Sequence, residues 1–75
     1  MAEVKSAWEA GVLSKEAVGF FWARDFIRAN NRPPSIHIIR AGVQAEFGEL
    51  LTRPTAGRAL WKAKKQVLRQ ERRQD

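Results

Sequence analysis

Arg58, Lys62, Lys65, Arg69 and Arg72 recur at i, i+4, i+7, i+11 and i+14, with Arg73 beside them. That spacing stacks side chains on one face of an α-helix. Neighbours in such a column stand roughly 5–6 Å apart, close enough to repel one another unless an anion covers them. Ala56, Leu60, Ala63 and Val67 keep a helical spacing on the other side. A helix over 54–73 would therefore turn one face to a small core and present cations to a polyanion with the other. The chemistry on offer is electrostatic capture rather than bond-making. No nucleophile–base pair, carboxylate pair, glycine-rich phosphate loop or ligand cluster occurs, so an enzyme is not expected. There is no cysteine, and a lone histidine, His37, builds no metal site, so no cofactor is expected either.

The charge distribution sharpens this reading. The 75-residue chain carries a net charge of +6. Residues 1–52 hold six cations (Lys5, Lys15, Arg24, Arg28, Arg32, Arg40) and six acids (Glu3, Glu9, Glu16, Asp25, Glu46, Glu49), which cancel. Residues 53–75 hold eight cations (Arg53, Arg58, Lys62, Lys64, Lys65, Arg69, Arg72, Arg73) against Glu71 and Asp75, which leaves the whole +6 there. A neutral body with one basic helix suits a polyanion-binding device. No apolar run approaches the ~18 residues that cross a bilayer, and Ala56, Leu60 and Ala63 make too thin an apolar face for a membrane-surface helix. With no signal-peptide pattern at the amino terminus, the expectation is a cytoplasmic protein, nucleoid-associated if bacterial, with no membrane partner.

The elements that must position the basic column are all helical, and together they read as one small all-α domain of three to four helices. A short helix over 2–10 places Val4, Ala7 and Trp8 on one side and stops at Gly11, with Trp8 as a lid on the core. Ser14 caps a second helix over 15–29, with Glu16 in its first turn and a Leu13–Val18 staple. Only Ala17, Arg24 and Arg28 mark a solvent strip on it, as expected of a central helix. Asp25 lies within its apolar arc and calls for a cation, from Arg28 or another helix. Asn30-Asn31-Arg32-Pro33-Pro34 ends it, Ser35 caps a third helix over 36–47, and Gly48 closes that one. Gly42 inside it implies close approach of a neighbouring helix. His37, off the apolar stripe, reads as exposed or phosphate-touching. One of Leu50 and Leu51 should reach the core, and Trp61 is expected to pack on an earlier helix. The RQERRQD end carries no stop signal and would fray, or continue in a longer protein. The expected core is Trp22, Phe26, Ile39, Val43, Phe47, Leu60 and Val67.

A long apolar helix, a short helix closed by glycine, and a basic helix follow one another as in a helix-turn-helix unit. In that arrangement the basic helix enters the major groove, about 12 Å wide. Thr55, Arg58, Ala59 and Lys62 would then read bases, with Arg58 suited to guanine O6 and N7. Thr52, Arg53, Lys65, Arg69, Arg72 and Arg73 would hold phosphates. The run NNRPPSIHIIRAGVQAEFG, followed by Thr52 and the Leu60 helix, resembles the amino-terminal DNA-binding region of KfrA-type plasmid regulators. Arg32, Pro34, Ser35, Ile39, Arg40, Gly48 and Thr52 match its pattern of an Arg-Pro-Ser/Thr start, an Ile/Val-Arg pair, a closing glycine and a threonine before the next helix. The likeness spans roughly the middle half of the chain, and the second proline and the longer link from Gly48 to Pro54 depart from it. It implies binding of double-stranded DNA in transcriptional, plasmid or phage regulation, with a coiled coil following the domain. A homodimer is a further expectation. The competing expectations are an RNA-binding module, which would use the same column, and a small adaptor for an acidic protein partner.

Overall fold

The structure, a computed structural model, describes the backbone of residues 2–74 and the side chains of residues 3–68. It is all-α, with four helices: α1 (Ala2–Glu9), α2 (Lys15–Asn30), α3 (Ile36–Phe47) and α4 (Arg53–Gln74). No strand occurs among the described residues. The longest dimension of the molecule is 37 Å, close to the length of 22 residues of α4 at about 1.5 Å each. The basic helix therefore spans the whole particle.

Short polar residues start the helices because they satisfy amides that have no partner within the helix. Ser14 accepts from the Ala17 amide at 3.1 Å, and Ser35 from the Ile38 amide at 3.1 Å. Leu13 packs against the core cluster to which Val18 belongs. Asn31, left-handed at φ 56°, ends α2 by donating its amide to the Ile27 carbonyl at 2.7 Å, and Gly48 at φ 70° ends α3 on Gln44 in the same way. α4 begins one residue before Pro54. Thr52 is its cap, accepting from the Thr55 amide at 3.3 Å while its carbonyl receives the Ala56 amide at 2.9 Å. Pro54 falls in the first turn, where a missing N–H costs nothing.

The core is a cluster of Val18, Ala23, Ile39, Val43, Leu51, Ala56 and Ala63, joined by Ala59 and Val67 from α4. The most extensive contact runs between α2 and α4. It is close because small residues face each other: a Cβ built on Gly19 would meet Leu51 Cδ1 at 2.8 Å and Ala59 Cβ at 3.1 Å. Between α3 and α2 the tight contact is a side chain, since a Cβ on Gly42 would run into the Trp22 ring. The close approach expected at Gly42 is thus made by an indole ring.

Trp8, Trp22, Phe47 and Leu60 are only partly buried and pack around the cluster. Phe26, expected among the core residues, is only partly buried and lies outside the cluster, stacked on Trp22 at 5.5 Å. Leu51 is the buried member of its pair and Leu50 is exposed. The solvent strip on α2 is narrower than expected. Arg24 is half-buried, its guanidinium 4.8 Å from the Phe21 ring and 5.9 Å from that of Phe20, an arrangement favoured by the ring quadrupole. Asp25 lies 3.7 Å from Arg24 Nε.

Candidate nucleic-acid interface

The placement of every side chain on α4 follows from which residues face α2. Ala56, Ala59, Ala63 and Val67 form the inward ridge. The helix is thereby rotated so that Arg58, Trp61, Lys62, Lys64, Lys65 and Leu68 are exposed. Ala59 is 0% exposed, which corrects its expected role as a base reader: its methyl group is packed against α2. Leu60 is displaced to the flank of the ridge. Trp61 is also corrected. It packs on no earlier helix but is 61% exposed, with Lys65 Nζ 4.7 Å from its ring centroid. The inward ridge consists of short side chains, so the long ones are left outside.

The Arg58–Lys62 part of the column has an anionic partner within the molecule. Arg58 Nε donates to Glu16 Oε1 at 2.6 Å, and Lys62 Nζ donates to Glu16 Oε2 at 2.5 Å. Both cations keep more than half of their side chains exposed, 60% and 53%. The hydrogen bond from Lys62, then that from Arg58, holds the Glu16 carboxyl below its ordinary range. Arg58 Nη2 also donates to Thr55 Oγ1 at 3.3 Å, and Thr55 Oγ1 receives the Thr52 hydroxyl at 2.9 Å. Thr52 is therefore occupied in capping α4 and in steadying Thr55; holding a phosphate as well would break one of these bonds.

A second group of cations lies at the start of the helix. Arg53 lines a shallow groove with Ser35, Ile36, His37 and Arg40, where the amino-terminal ends of α3 and α4 come together. Arg40 Nε donates to the Leu51 carbonyl at 2.8 Å, which fixes the link between the helices against α3. On the other flank Lys64 shares a cleft with Arg32, Ile27, Pro33, Val67 and Leu68. The structure thus brings Thr55, Arg58 and Lys62 together, sets Lys65 beside Trp61, and places Arg53 apart with His37. The side chains of Arg69, Arg72 and Arg73 lie outside the described residues.

Glu16, Arg40 and Trp61 were not among the expected site residues. No local spacing identifies Glu16, since its partners are 42 and 46 positions away. The available signal was the mutual repulsion of Arg58 and Lys62, which calls for a nearby anion. Among the described residues no group of histidine, cysteine and acidic side chains could hold a metal ion, and no helix is long and apolar enough to cross a membrane.

The sequence matches no protein-family model, and neither a curated protein nor a solved structure is significantly similar to it.

Proposed function

We propose that the chain binds double-stranded DNA through the outward face of α4, as a helix-turn-helix-like module in which α2 and α3 brace that helix. The observation that carries this reading is the division of α4 itself. A fully buried alanine ridge fixes it to the body, and Arg58, Lys62 and Lys65 stand exposed on the other side. All of the net charge resides in residues 53–75, so a polyanion meets a neutral body wherever it touches anything else. Arg58, Lys62 and Thr55 are the base readers in this arrangement, and Arg53 and Lys65 hold phosphates. The resemblance to the KfrA-type region supports the assignment to a regulator. Binding to short duplex, followed by fluorescence anisotropy, tests it. Arg53 and Lys65 on phosphates give a log–log salt slope of about −2, at about −0.9 per contact. An affinity unchanged between low and physiological salt would rule out this face as the binding surface.

The exposed Trp61 ring supports a second reading, single-stranded RNA, because a base can stack on an aromatic side chain flanked by cations. Titration with single-stranded RNA separates the two. If RNA quenches Trp61 fluorescence and binds more tightly than duplex, and if Trp61→Ala abolishes that preference, the RNA reading replaces the DNA one.

A further inference from the structure

Arg58 is fixed from two sides. Its Nε donates to Glu16 Oε1 at 2.6 Å and its Nη2 to Thr55 Oγ1 at 3.3 Å. Thr55 is itself held by Thr52, the cap of α4. These bonds use the Nε hydrogen and one hydrogen of Nη2. The Nη1 hydrogens and the second Nη2 hydrogen stay free, and a guanidinium presents these terminal donors as a planar fork. Such a fork fits two neighbouring acceptors, as guanine offers at O6 and N7 in the major groove.

We propose that Glu16 is a specificity-determining residue that acts through Arg58, aiming the guanidinium end-on at guanine and disfavouring its use on phosphate. This rests on the duplex-binding reading above. The selectivity comes from charge. A phosphate approaching Arg58 or Lys62 meets the Glu16 carboxylate as well, and that negative charge offsets part of the attraction of the two cations. Guanine O6 and N7 are uncharged acceptors and carry no such penalty. Glu16 therefore lowers affinity for DNA in general while preserving the contact that depends on base identity. The low position of its carboxyl group keeps it ionised around neutral pH. Its side chain is 27% exposed, so the pair borders solvent and a nucleic acid can reach it. Lys15, the neighbouring cation on α2, is engaged with Glu49 at 3.1 Å and does not cancel Glu16.

The test compares wild type, Glu16→Gln and Thr55→Val on three probes. These are the best site selected from a randomised duplex pool, the same site with each guanine replaced in turn by 7-deazaguanine, and a scrambled duplex. Glu16→Gln should bind the scrambled duplex several-fold more tightly at low salt. It should also lose roughly 5-fold or more of the wild type's preference for the guanine that loses N7 in the deaza probe. Thr55→Val, which removes the other support without changing charge, should lose the same preference with no gain on the scrambled duplex. An unchanged amide fingerprint shows that each variant is folded. If Glu16→Gln strengthens or weakens all three probes alike, Glu16 is only a screening charge and the proposal is wrong, while the duplex reading stands. If wild type binds no duplex, both fall together.

Discussion

The inward face of α4 is made of buried methyl groups, with Ala59 packed where α2 has a glycine. Its outward face is made of long cations more than half exposed, tied to the same α2 by one carboxylate. Both faces contact α2, but through different physics. On the inside the constraint is volume, because a close-packed interface has no space for added atoms. On the outside the constraint is charge, and the Glu16 tie orients Arg58 and Lys62 while more than half of each side chain stays open to solvent. One helix can thus be rigidly placed and still offer accessible donors.

The largest effect expected from this contrast is at neighbouring positions on opposite faces. Ala59→Leu would force side chains into the space beside Gly19 and Leu51, where contacts are already tight. Overpacking of this kind costs about 1–3 kcal/mol, a large share of the stability of so small a domain. Trp61→Ala, two residues along, should change stability by no more than about 0.5 kcal/mol. Urea denaturation of the two variants measures this; equal losses would mean that the rotation of α4 is wrong.

Much of the scaffold was legible because its signals are local. Ser14, Ser35 and Gly48 act at their own helix ends, and a cap needs only a few neighbouring residues to be recognised. The rotation of α4 was legible only in part. The apolar spacing Ala56, Leu60, Ala63, Val67 favoured Leu60 as the buried residue, because hydrophobicity increases with size. The helices meet at Gly19, however, and there the smaller Ala59 fits while Leu60 is moved aside. With Ala59 turned inward, Trp61 is left exposed and Ala59 has no surface with which to read a base. Glu16 as partner of Arg58 and Lys62, and Arg40 as support of the Leu51 carbonyl, depend on how separate helices pack. Periodicity along one helix holds no record of such contacts.

The next effects concern binding, and they sharpen the contrast within the outward face. Arg58→Ala should cost about 1–3 kcal/mol on the selected duplex and relax its base preference. Lys65→Ala should weaken all duplexes about equally and reduce the magnitude of the salt slope by about one. Anisotropy titrations on selected and scrambled duplexes distinguish the two. If both changes act alike on every sequence, the face is a uniform cationic strip.

The smallest effect is the pH dependence of the Glu16 pair. The groups facing Glu16 from α4 are Lys62 and Arg58, and together they depress its carboxyl from the ordinary value of 4.5. A group whose pKa falls on folding binds fewer protons in the folded state, so its stabilisation is present above the unfolded value and is lost as pH falls through the folded one. The difference in melting temperature between wild type and Glu16→Gln should therefore be constant around neutral pH and shrink below about 4.5. A difference that grows with acidification would contradict the assignment.

Nucleic acid is proposed to engage the outward face of α4, with Arg53 at the start of the helix holding a phosphate. Backbone amide shifts, followed as duplex DNA is added to the whole chain, test it most directly. The expected result is a continuous set of changes from Thr52 through Leu68, strongest at Thr55, Arg58 and Lys62 and including the Trp61 indole N–H, with α1 unmoved. Changes concentrated on α1 or on the outer side of α2, or no changes with duplex at any salt, would contradict it.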